Sequence, residues 1–100
     1  MFFGDLGTEN AVNDNAKLEQ NNPNPFTENS IIKFYIPQNT TNAMIKIYSL
    51  DGTEMAAFKS LAKGFGQVAV NANRLSPGAY VYTLIIDDKT IDTKQMIITK

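Results

Sequence analysis

The sequence predicts an all-β fold, an immunoglobulin-like antiparallel β-sandwich of about seven short strands. Three observations predict it. Apolar residues alternate in short runs, turn residues punctuate them every ~8–12 positions, and no window sustains a helical period. At 100 residues the chain is one domain, large enough for one modest core without covalent staples.

Residues 4–17 are rich in Gly, Asn, Asp and Glu and show no period. Such a segment has too little apolar surface to offset its ordering entropy, so residues 1–17 read as a disordered linker. The folded domain is expected over 18–100. Phe2 and Phe3 read as the remnant of a preceding segment, and residues 1–7 lack the basic start and apolar stretch of a signal peptide.

The stretch Asn22, Pro23, Asn24, Pro25, Phe26 comes next. Two prolines remove two backbone donors and bar it from a central strand, so it should lie extended along an edge with Phe26 turned inward. Residues 30–36 alternate, with Ile32, Phe34 and Ile36 on one face and Ile31 and Tyr35 on the other. Residues 43–50 follow, with Ile45 and Ile47 inward and Lys46 and Tyr48 outward.

Asp51-Gly52 signals a hairpin into residues 53–59. A two-residue turn would set Ile47 opposite Ala56. A three-residue loop with Gly52 in the left-handed region sets it opposite Met55, which pairs two large apolar side chains and is preferred. Residues 63–66 read as a flexible loop, and 67–71 as a short strand with Val68 and Val70 inward.

Leu75-Ser76-Pro77-Gly78 fits a type II turn, with proline first and glycine second at its centre. Tyr80 lies five residues after Leu75, the spacing of a tyrosine corner, whose phenol bonds to the backbone just upstream. Tyr80, Tyr82, Leu84 and Ile86 share a face of what should be the central strand. Asp87 and Asp88 then turn the chain into a last strand, residues 90–99, with Met96 and Ile98 inward.

Composition excludes several functions. No histidine and no cysteine means no Ser-His-Asp or Cys-His machinery, no disulfide and no thiolate metal site. A net charge of −1 argues against nucleic acid or an anionic membrane surface as partner, since both want a basic face. No apolar run approaches the ~20 residues of a membrane helix. Asp87 and Asp88 are expected to diverge into water on their hairpin, and no spaced acidic motif suggests calcium, so no cofactor is expected and no enzyme.

The order of these segments resembles the type A C-terminal sorting domain of the type IX secretion system (Por secretion tail). The resemblance rests on Leu18-Glu-Gln-Asn21 with Asn22-Pro23-Asn24-Pro25-Phe26, on 32–37 (IKFYIP) and on 45–52 (IKIYSLDG). It continues through 75–84 (LSPGAYVYTL), which holds Gly78, Tyr80 and Tyr82, and through the closing Lys94, Met96 and Lys100. Gln95 stands where a second basic residue is usual, and Ser49 where aspartate is.

The resemblance implies an address on a cargo protein, with a translocon, a sortase and an upstream cargo domain as partners. It implies passage through the periplasm, removal of the domain, and a cargo anchored at the cell surface or released. Recognition is expected at the last strand, residues 90–100, by strand addition at an exposed edge. The alternative is an immunoglobulin-like adhesion or carbohydrate-binding module, for which Tyr35 and Tyr48 are the aromatic candidates.

Overall fold

Side-chain alternation sets the layers. The computed structural model describes residues 16–99. Its strands are β1 (Lys17–Leu18), β2 (Asn29–Ile36), β3 (Ala43–Ser49), β4 (Glu54–Phe58), β5 (Gly64–Asn71), β6 (Gly78–Ile86) and β7 (Lys89–Ile98). They form an antiparallel three-stranded sheet ordered β1-β2-β5 and a four-stranded one ordered β4-β3-β6-β7. The all-β expectation is met, and β6 sits inside its sheet as its apolar sequence requires.

The inward rows meet in one core: Ile32, Phe34 and Ile36 from β2, Ile45 and Ile47 from β3, Tyr82 and Leu84 from β6, Met96 and Ile98 from β7. Each such side chain contributes roughly 1.5–3 kcal/mol by leaving water. Lys17 already belongs to β1, opposite Tyr35. Ala16 packs against the core as well, so the linker expected over residues 1–17 is corrected at its last two residues, and its remainder lies outside the described residues.

Four local features correct or add to the expectations. First, the loop after β3 has three residues, with Ser49 N–H donating to Thr53 O (2.9 Å) and Gly52 at φ +92°. Ile47 nevertheless faces Ala56, because the register shifts between Ile47 and Tyr48, which faces Glu54. The bulge expels Met55, 43% exposed, from the pairing. Ser49 closes this loop by donating its hydroxyl to Asp51, which holds that carboxyl below its usual range.

Second, residues 64–66 are strand. Gly64, Phe65 and Gly66 pair with Ile36, Tyr35 and Phe34. A Cβ on Gly66 would stand 2.8 Å from Phe34 Cε1, so the Phe34 ring occupies the space a side chain there would need. Third, a single 3₁₀ turn, Ala72–Arg74, follows β5, capped by the Asn71 side chain accepting from Asn73 N–H (2.8 Å).

Fourth, residues 75–78 bend without closing the type II turn. Gly78 has φ +148°, more extended than the about +80° of that turn, and opens β6 directly. The Ser76 carbonyl accepts instead from Tyr80 Oη at 2.6 Å. This is the tyrosine corner, at the start of the sixth of seven strands.

Gly66→Ala should lower stability by about 1–3 kcal/mol through overpacking against Phe34. Much of the loss should return in Gly66→Ala/Phe34→Leu, as read from urea melts.

Candidate functional site

Two segments far apart in sequence meet on one flank of the sandwich. Residues 20–26 run as a strap between the sheets, beside the outer edge of β7. On the β2 side, Asn22 and Ile31 exchange both backbone bonds (3.0 and 2.9 Å). On the β7 side, Phe26 N–H donates to Ile97 O (3.0 Å) and Thr99 N–H to Phe26 O (2.9 Å). Ile97 N–H donates to Asn24 Oδ1 (2.9 Å), and Gln20 Nε2 donates to Gln95 O (2.6 Å).

The segment therefore behaves as expected at an edge, with Phe26 buried. The peptide bonds before Pro23 and Pro25 are cis. The strap narrows one expectation. From residue 95 to 99 the outer edge of β7 is already occupied, which confines any strand addition there to the part of the edge before residue 95.

Beneath the strap lies a buried polar network. Tyr82, 0% exposed, donates its hydroxyl to Glu19 O (2.7 Å) and accepts from Asn21 N–H (2.8 Å). Asn21 Nδ2 donates to Pro23 O (3.1 Å) and Ser30 Oγ (2.9 Å), and Ser30 Oγ donates to Pro23 O (2.7 Å). Asn21 and Ser30 are buried, and every one of these contacts satisfies a group that would otherwise be stranded away from water. Burial pushes the Tyr82 phenol up to about 12, although the Asn21 N–H beside it favours the anion.

Of the residues singled out in the sequence, Asn22, Pro23, Asn24, Pro25 and Phe26 form the strap. Tyr82 anchors it from below, and Met96 fills the core under β7. Lys94 faces Tyr82 across the ladder and pairs with Asp92 (3.6 Å) on the surface. Gly78 and Tyr80 belong to the tyrosine corner, where Gly78 faces Ile98. Lys100 lies outside the described residues.

Sequence reading missed the roles of Gln20, Asn21 and Ser30. Ser30 gave the one available hint, a hydroxyl on the inward face of an otherwise apolar strand. Both hairpin aspartates are exposed, as expected, but Asp87 also has a role that the sequence did not indicate. Its Oδ1 accepts from Thr41 and Asn42 N–H (2.9 and 2.8 Å), tying the β6–β7 turn to the chain ahead of β3. Positive φ at Asp87 and Asp88 (50° and 68°) makes that turn type I′.

Tyr35 and Tyr48 lie on the outer faces of different sheets, so they cannot form one aromatic platform. Among the described residues, no three acidic side chains gather as a metal site would need.

The family described as "Secretion system C-terminal sorting domain" matches residues 22–99, from the strap through the end of β7. The chain belongs to that family. No curated protein matches it. The sorting domain is thus a C-terminal signal for type IX secretion, a family without catalytic activity of its own. Both ends of the match coincide with the two segments that the fold binds together, so residues 22–26 and 95–99 form one surface.

Replacing Tyr82 by Phe leaves Glu19 O and Asn21 N–H without their buried partner. The loss should be about 1–3 kcal/mol in urea unfolding. The phenol is raised above its ordinary value of 10 in the folded state, so its contribution is complete below pH ~10 and fades as pH rises toward ~12. Stability of the parent chain should therefore fall more steeply over that window than stability of Tyr82→Phe.

Proposed function

We propose that the domain labels an exported cargo for the outer-membrane translocon, which recognises it while folded, and that a sortase then removes it. The cargo passes through the periplasm and ends at the cell surface or is released. The domain begins with β1, behind a linker that holds the processing site. The strap–β7 surface supports this reading, because it joins both termini of the family's match into one rigid feature. Asn22, Pro23, Asn24, Pro25, Phe26, Lys94 and Lys100 contribute what is read, while Gly78, Tyr80, Tyr82 and Met96 hold it in shape.

A folded label suits the chemistry. The strap's bonds to β7 involve backbone groups and the side chains of Gln20 and Asn24, so unfolding would erase the surface entirely. Recognition in this form reads shape and hydrogen-bonding groups, with no bond made or broken in the domain until processing.

A cargo lacking residues 96–100 should stay in the periplasm, and normal surface delivery of it would rule the reading out. Because that deletion also removes Met96 and Ile98 from the core, a second measurement accompanies it. Residues 18–100 fused to a fluorescent protein with its own export signal should carry it to the surface or the medium.

A further inference from the structure

The flank opposite the strap is built differently. Among the described residues, no backbone hydrogen bond joins the two sheets between β4 and β5. A groove of about 500 Å³ opens there, its floor reaching Ile47, Val70 and Leu75 and its walls formed by Met55, Phe58 and Arg74. Both lips are outer strand edges, each presenting a row of backbone groups to solvent.

Free edges are usually blunted by lysine, proline or an inward charge. β4 carries none of these along Met55, Ala56, Ala57 and Phe58, and its one charge, Glu54, is paired with Lys46 (3.1 Å) at the far end. Antiparallel pairing turns alternate residues toward opposite neighbours. Ser49 N–H bonds Thr53 O and Ala43 O accepts from Leu61 N–H, so odd-numbered residues of β3 face β4. Ala57 sits opposite Lys46, and its N–H and C=O therefore point to the free side. Its small side chain and those of Ala56 and Ala69 leave room for another chain.

Arg74 adds a charge with no acidic partner among the described residues. A second copy of the chain supplies a poor match. Its free strand β5 has no carboxylate, and the only one on β4 is already paired. We propose that this groove takes an extended segment of a translocon protein by strand addition to β4, with alternate apolar side chains over Ile47 and Val70 and a carboxylate against Arg74. The inference rests on the sorting function and names the edge through which the label is held.

The test uses an exported cargo bearing the full chain, with Ala57→Pro and Arg74→Glu introduced separately. Ala57→Pro removes an edge donor that the sheet itself does not use, and thermal melts of each purified variant establish that it folds. Surface delivery should fall at least about fivefold for both, and Arg74→Lys should restore most of it. Delivery at the parent level by folded variants overturns the groove while leaving the sorting function intact. A parent chain that is never delivered overturns the sorting function and this inference with it. Concentration-dependent dimers in sedimentation that Ala57→Pro abolishes would assign the groove to a second copy and overturn the proposed partner.

Discussion

The hydroxyl of Tyr82 is the constraint on which the arrangement depends. It sits in the four-stranded sheet, fully buried, yet bonds the backbone on both sides of Gln20, just after β1 of the other sheet. A buried hydroxyl without partners costs about 1–3 kcal/mol, so this position accepts only a chain path that supplies both a donor and an acceptor. The strap is that path. Asn21 and Ser30 then complete the network, which fixes where the prolines fall and hence where Asn24 and Phe26 meet β7.

This tie makes the two flanks of the sandwich unequal. On the strap side the sheets are bridged by backbone bonds at Asn22 and Phe26, and the end of an edge that would otherwise attract other chains is covered. On the other side β4 and β5 end in open edges with core side chains at the bottom of a groove. A domain whose work is to be recognised needs one face held constant and one face free to engage. The same seven strands provide both.

Charge contributes little to holding the fold. The two ion pairs among the described residues, Lys46–Glu54 and Lys94–Asp92, lie on the surface, where such pairs are worth ~0–1 kcal/mol. Stability rests on the apolar rows and on buried neutral hydrogen bonds. The domain therefore tolerates changes of ionic strength better than a fold built on salt bridges.

Alternation by itself determined strands β2 to β7 apart from the start of β5, the inward rows, the central place of β6 and the tyrosine corner, because period-two patterns and turn residues act locally. The order of segments from Leu18 to the last strand also identified the family. Three features needed the tertiary structure. The bulge that sets Ile47 opposite Ala56 reflects how β4 packs, and the turn sequence is compatible with either pairing. Residues 64–66 look like a loop in sequence, yet they pair because Phe34 requires a partner strand without a side chain at Gly66. The strap's hold on β7 joins residues more than seventy positions apart, and no local pattern encodes which buried hydroxyl will meet which amide across that distance.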